Sequence, residues 1–109
     1  MRGFNCITYV GAVFAVDSAS RAMSYRGEEL AKYLRATKCD MESKRSKEIK
    51  KFFEENPKGM YLMWSMSHVV LVIDSVVHEF SRSKGGYAKT EARNWGYGIH
   101  FYTVRKLNF

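Results

Sequence analysis

The longest apolar, β-branched stretch of the chain, residues 59–80, constrains the fold more than any other part of the sequence. Two polar residues, Asp74 and Ser75, interrupt it and are typical of a two-residue hairpin turn. The stretch therefore predicts an antiparallel meander of three strands. These strands are expected at residues 60–66, 68–73 and 76–80.

The register of this hairpin brings a histidine and a carboxylate together. A two-residue loop makes Ile73 face Val76 across the ladder. Because side chains alternate between the two faces of a strand, His68 and Glu79 are then expected on the same face of the sheet. An imidazole beside a carboxylate is a candidate for acid–base chemistry.

Helical patterns precede the meander, and one further strand follows it. Asn5 is a candidate N-cap for a first helix, and Ser43 for a third. Asn56 and the Pro-Lys-Gly that follows it are expected to end the third helix. The three helices are expected from near residue 6 to residue 16, from residue 18 or 24 to about 36, and from 43 to about 55. Residues 37–41 are expected to connect the second and third helices. A polar loop is expected at residues 81–98 and the last strand at 99–107.

This layout predicts an α+β fold in which N-terminal helices pack on a C-terminal antiparallel sheet. The length of 109 residues fits a single domain, residues 1–109, that buries roughly two-thirds of its unfolded surface. Two cysteines, Cys6 and Cys39, are too few for a disulfide framework, so free thiols in a reducing compartment are expected.

One of these cysteines occupies a position that favours nucleophilic chemistry. A thiol at a helix N-terminus is stabilised as thiolate, and a nearby imidazole can hold the ion pair that a cysteine nucleophile needs. Cys6 lies at the expected start of the first helix, and His68 opens a later strand. The alternative is that Cys6 is a small buried hydrophobic residue and that His68 is a core histidine.

Asn5-Cys6-Ile7-Thr8, the Gly-Met-Tyr-Leu that leads to His68, and the Val-Val-His-Glu strand after the hairpin resemble the small papain-like proteins of tailed bacteriophages. The resemblance covers about a third of the chain. It implies a papain-like fold, Cys6 as nucleophile, His68 as base and Glu79 at the position that orients the base. Asn5 would take the place of the glutamine that usually precedes the nucleophile. The implied activity is cleavage of a peptide or another amide bond.

A second interpretation rests on charge. The net charge of +7 is concentrated in residues 31–51 and 82–106, which carry +5 each. Such clustering favours an anionic partner, either nucleic acid or an acidic protein surface, and describes a non-catalytic binding module that inhibits a host factor or binds nucleic acid. In the second segment, cations that contact phosphates are interleaved with rings that stack on bases. The candidate binding residues are Lys84, Lys89, Arg93, Trp95 and Tyr97.

No other chemistry is predicted. The histidines and cysteines lack the paired spacing of a metal site, and no glycine motif for a nucleotide is present, so no cofactor is expected. No apolar run reaches the roughly 18 to 20 residues of a membrane span, and no membrane partner is expected. The cytoplasm, of a host cell if a phage encodes the protein, is the expected location. The expected partner is a peptide, a protein substrate or a host protein.

Overall fold

A computed structural model describes residues 27–81 and 85–108. Within these residues the chain forms two short helices and one six-stranded sheet. In chain order the elements are α1 (Gly27–Tyr33), β1 (Thr37–Lys44), α2 (Ser46–Glu55), β2 (Met60–Trp64), β3 (Val69–Ile73), β4 (Val76–Ser81), β5 (Gly86–Glu91) and β6 (Tyr102–Leu107).

All strand pairs in the sheet are antiparallel, and the strand order is β1-β6-β2-β3-β4-β5. The last strand therefore lies between the first and the second. β6 pairs on both sides, and four of its residues in succession, from Tyr102 to Arg105, are buried. Burial on both faces is typical of a central strand.

The meander is confirmed. Ile73 pairs with Val76, and Asp74 and Ser75 form the turn with positive φ angles of 48° and 65°. Positive φ at both loop positions matches the right-handed twist of the flanking strands. The connection from β2 to β3 is closed by the Ser65 amide, which donates to the His68 carbonyl at 2.9 Å.

Two apolar clusters explain why the sequence from 59 to 80 is so continuously hydrophobic. On one face Tyr61 and Met63 belong to a cluster that includes Ile49 and Phe53 of α2. On the other face Leu62 joins a cluster that includes residues of α1. Because both faces of β2 and β3 are buried, alternate polar residues are not needed there.

The predicted α+β class, with helices packed ahead of a sheet in a papain-like arrangement, is wrong. The described residues form a mainly-β fold: six antiparallel strands dominate, and the two helices have 7 and 10 residues. A strand, β1, also lies between the two helices in the chain. The helix predicted from residue 6, and any part of the second helix before Gly27, lie outside the described residues.

Two strands were missed, and they are the edges of the described sheet. β1 occupies the stretch predicted as a connection, and β5 lies inside the predicted polar loop. The pairing of β1 with β6 shifts register on both sides of Met41, and Asp40 and Ser43 have positive φ. An edge strand has one neighbour and an exposed side, so it carries a weaker hydrophobic pattern than a central strand.

The third predicted helix exists but begins later than expected. Its N-cap is Arg45, whose amide donates to the side chain of Glu48 at 2.9 Å. Ser43 instead belongs to β1, where its amide donates to the hydroxyl of Thr103 at 3.1 Å. The helix ends at Glu55 with Asn56 as C-cap, as predicted. None of the described helices is long and apolar enough to cross a membrane.

Candidate functional site

His68 and Glu79 meet at one end of the sheet, as the hairpin register predicted. His68 directly precedes β3, and Glu79 lies in β4. The Nε2 atom of His68 is 3.0 Å from Oε1 of Glu79. The side chain of Glu79 is only 2% exposed, whereas that of His68 is 23% exposed. The buried Glu79 carboxylate therefore contacts the Nε2 edge of the His68 ring, and the His68 side chain as a whole is more exposed than that of Glu79.

A third residue, Trp95, completes this arrangement. Its indole Nε1–H donates to Oε2 of Glu79 at 2.6 Å. Its ring also stacks on the His68 ring, with centroids 6.3 Å apart and planes 12° apart. Because burying a charge is costly without hydrogen-bond partners, this indole donor stabilises the carboxylate beneath the histidine.

The loop between β5 and β6 is itself anchored by aromatic residues. The Tyr97 hydroxyl donates to the Ala92 carbonyl at 2.8 Å, and the Tyr102 hydroxyl donates to the Tyr97 carbonyl at 2.9 Å. Trp95 packs edge-on against both tyrosine rings, at 4.9 Å and 5.5 Å between centroids. Burial raises the pKa of both phenols, so both hydroxyls remain protonated donors at neutral pH.

The ionised form of Glu79 would select one tautomer of His68. An ionised carboxylate only accepts hydrogen bonds, so the ring nitrogen that faces Glu79 carries a proton. In the neutral ring the lone pair is then on Nδ1, and that nitrogen has the properties of a general base. Glu79 also stabilises the imidazolium that forms when Nδ1 takes a proton.

Three of the sequence-predicted site residues have no described position. Cys6, Asn5 and Lys84 lie outside the described residues. The predicted roles of Cys6 as nucleophile and Asn5 as its neighbour therefore stay predictions, whereas the His68–Glu79 contact is observed.

Cys39 has the surroundings of an inert thiol. It lies in β1, and its Sγ donates to the carbonyl of Val104 at 3.2 Å. Burial raises the pKa of the Cys39 thiol, and this effect outweighs the opposing attraction of the Arg105 charge. Because thiolate is the reactive form, Cys39 is expected to react slowly.

The predicted binding set is divided by burial. Lys89 and Arg93 are exposed, and Arg93 pairs with Glu91 at 2.7 Å. The rings of Trp95 and Tyr97 are 5% and 2% exposed. Both rings therefore fill the core and offer no face to a nucleic-acid base in this conformation. Trp95 is instead a hydrogen-bond partner of Glu79, a role that the sequence analysis did not predict. A buried carboxylate requires hydrogen-bond donors nearby, and an indole N–H can only donate, so this requirement could have pointed to Trp95.

The other histidines lie apart from this site. His78 faces Tyr87, with Nδ1 at 2.8 Å from the hydroxyl, and His100 packs edge-on against Tyr102 at 6.4 Å. Burial lowers the pKa of His78, and the nearby Lys89 charge lowers it further. No group of three or more metal-ligating side chains converges within residues 27–81 and 85–108.

An open cavity of about 280 Å³ lies at the opposite end of β3 from His68. Its lining includes the apolar residues Phe53, Pro57 and Val76 together with charged residues of both signs. One of these pairs, Glu91 with Arg93, is already joined. The cavity is therefore separate from the His68–Glu79 chemistry.

Comparison of the chain with protein-family models, with curated proteins and with solved structures finds no match.

Proposed function

We propose that this protein is a thiol hydrolase that cleaves a peptide, isopeptide or other amide bond, with Cys6 as nucleophile, His68 as general base and Glu79 as the group that orients and charges the base. The observation that carries the proposal is the Glu79 carboxylate, buried and shared between His68 and Trp95. Catalytic bases are typically oriented by a third group, and the Glu79 carboxylate has that position relative to His68.

The proposed reaction follows from these roles. Nδ1 of His68 takes the proton of the Cys6 thiol, and the thiolate attacks the carbonyl carbon of the amide. The C–N bond breaks, and the imidazolium returns the proton to the leaving amine. The acyl group is now held on Cys6 as a thioester. The same nitrogen then takes a proton from water, the resulting hydroxide attacks the thioester carbonyl, and the C–S bond breaks to release the acid, while the Cys6 sulfur regains a proton from the imidazolium. Asn5 is proposed to donate a hydrogen bond to the oxyanion.

The proposed hydrolase does not have the papain-like architecture, because the described chain is mainly β. The resemblance of the short motifs around Cys6 and His68 to the small papain-like proteins of tailed bacteriophages supports the proposed roles of these two residues and does not extend to the fold. A cytoplasmic location, a peptide or protein substrate and a host-protein partner belong to the same proposal.

Competitive alkylation tests the proposal directly, because the chain carries its own reference thiol. With iodoacetamide between about pH 6 and 7, Cys6 is expected to react at least about tenfold faster than Cys39, since only a thiol paired with a base is thiolate there. Mass spectrometry of the digested protein reads both sites in one sample. Equal and slow labelling of the two thiols would contradict the proposal.

Variants at His68 separate chemistry from folding. His68→Ala is expected to abolish the rate difference, but it also leaves Glu79 buried without its imidazole partner. His68→Gln keeps an N–H donor for Glu79 and removes the base, so it should fold and still lose fast labelling. His100→Ala, at an exposed ring, is the matched control and should label like the wild type.

The second candidate, a non-catalytic basic binding module, is favoured by the exposure of Lys89 and Arg93. The burial of Trp95 and Tyr97 argues against the version in which rings stack on single-stranded bases. Fast Cys6 labelling would favour the hydrolase over this module.

A further inference from the structure

Several large apolar side chains are exposed at one end of the sheet. Met66 is fully exposed, Ile99 is 83% exposed and Phe101 is 51% exposed. They lie in the two chain segments that flank the β2 and β6 ends, residues 65–68 and 98–101. We call these three side chains the apolar tip.

The members of the tip lie at the same end of two neighbouring strands. The last pair of the β2–β6 ladder at this end is Trp64 with Thr103, so Met66 follows the end of β2 and Ile99 and Phe101 precede the start of β6. Exposed apolar groups gathered in this way mark an interaction site more often than scattered ones do.

Cations lie on the Phe101 side of the tip. The Arg45 guanidinium lies 4.4 Å from the centre of the Phe101 ring. Lys44 pairs with Tyr102, the residue after Phe101, and Lys47 is exposed in the first turn of α2. One carboxylate, that of Glu48, also lies in this turn and accepts a hydrogen bond from the Arg45 amide. One of the two segments with a charge of +5, residues 31–51, thus brings its cations beside the apolar tip.

We propose that the apolar tip and Arg45 form a docking surface for an acidic polypeptide segment that inserts a large apolar side chain. Methionine, phenylalanine and arginine are the residue types enriched where protein interfaces gain their affinity. The surrounding cations attract acidic residues of the partner and speed its association. This surface requires no hydrolysis and does not depend on the proposed thiol chemistry.

Two other partners fit the contacts less well. A nucleic acid would gain little from Met66 and Ile99, which have no flat ring for stacking, and the Phe101 ring already carries Arg45 on one face. If the Phe101 ring inserted into a membrane, the Arg45 guanidinium that contacts it would enter the hydrocarbon as well, and burying that charge there is costly.

Selection from a peptide library tests this proposal, because it needs only the chemistry of the partner and not its name. A random dodecapeptide library is selected for binding to immobilised full-length Cys6→Ser protein, which cannot cleave peptides by thiol chemistry. Peptides that also bind a triple variant of the same chain are then removed. The triple variant carries Met66→Ser, Ile99→Ser and Phe101→Ser. Enriched peptides are expected to combine a net negative charge with at least one large apolar residue. Their affinity, read by fluorescence anisotropy, should fall by about tenfold or more for the triple variant.

Controls keep the result specific. Circular dichroism must show that the triple variant is folded, which is expected because it replaces only exposed side chains. Arg45→Gln should weaken the selected peptides, whereas Lys58→Gln, at the opposite end of β2, should not. Selected peptides that bind the triple variant equally well, or that lack acidic residues, would overturn the proposal. The proposal would also be overturned if no peptide were enriched and the wild-type protein instead bound phosphatidylserine vesicles or an oligonucleotide more strongly than the triple variant does.

Discussion

Glu79 accepts hydrogen bonds from two different rings, and this sharing sets the chemistry of His68. Trp95 Nε1–H can only donate, so it needs an oxygen. In Glu79→Gln the amide oxygen is therefore expected to face Trp95 and the amide NH₂ to face His68. His68 Nε2 must then accept, and its proton moves to Nδ1. The variant should keep its fold and lose the base.

Nitrogen-15 NMR of the imidazole measures this tautomer switch, and the Cys6 alkylation rate measures the loss of the base. The wild type is expected to show the Nε2–H form and Glu79→Gln the Nδ1–H form. Fast alkylation of Cys6 should disappear in the same variant. Glu91→Gln, at an exposed glutamate paired with Arg93, is the matched control and should change neither signal. An unchanged tautomer in Glu79→Gln would refute this account of the site.

His78 predicts a pH dependence of stability. Its pKa is lowered from the usual value by burial and by Lys89, so the folded state disfavours its charged form. As the pH falls through about 6.5 the unfolded chain binds a proton that the folded chain resists, and stability falls. Above that pH the full stability is present. His78→Gln should therefore lose less stability than the wild type between about pH 7.5 and 5.5.

Urea unfolding at several pH values provides this comparison. Because other groups also contribute to the pH dependence, the informative quantity is the difference in slope between wild type and His78→Gln. His100→Gln, which replaces an exposed histidine, is measured alongside as the control substitution. A His78→Gln slope equal to that of the wild type would show that His78 does not contribute to the pH dependence.

Among the elements, α1 approaches the sheet closely at its first residue. Gly27, its first residue, lies so close to β2 that a Cβ added there would overlap the Trp64 ring. Trp64 is held from another side by Arg105, whose guanidinium lies 5.4 Å from the ring centre, and Arg105 pairs with Glu42. The ring therefore has little room to move.

We expect Gly27→Ala to cost about 1–3 kcal/mol of unfolding free energy, because the helix or the ring must shift. Gly96→Ala is the matched control: a Cβ at Gly96 meets nothing within 4 Å. Its effect should stay within about 0.5 kcal/mol. Urea unfolding followed by tryptophan fluorescence compares the two. Equal effects of the two substitutions would show that α1 does not pack on Trp64.

At the scale of the whole molecule, the net charge of +7 predicts how the affinity of the protein for nucleic acid would depend on salt concentration. Any affinity should fall linearly with salt on logarithmic axes. Replacing Lys84, Lys89 and Arg93 by glutamine should lower the slope by about three if all of them contact phosphates. Because Trp95 and Tyr97 are buried, no preference for single strands is expected.

Fluorescence anisotropy with single- and double-stranded oligonucleotides of mixed sequence measures both quantities. Trp95→Ala should act through the fold, with a loss of about 3–5 kcal/mol, rather than on single strands selectively. A selective loss of single-strand affinity in a folded Trp95→Ala protein would contradict the buried position of the ring. Binding that is undetectable at low salt would remove nucleic acid as a partner.

The sequence by itself determined the local parts of this molecule. Strands β2 to β4, their Asp74-Ser75 turn, the end of α2 at Asn56 and the approach of His68 to Glu79 all follow from patterns within a few residues. The alternation of side chains along a strand and the two-residue turn are sufficient to predict the hairpin, because both depend only on residues that are close in the chain.

Tertiary structure alone decided the rest. Whether residues 37–44 and 86–91 become strands depends on β6 and β4 as partners, since the polar patterns of these edge segments do not require a sheet. The bond from Trp95 to Glu79 joins residues 16 positions apart, and it forms because a folded loop buries both. Contacts of this kind depend on which surfaces exclude water together, and that is a property of the assembled sheet.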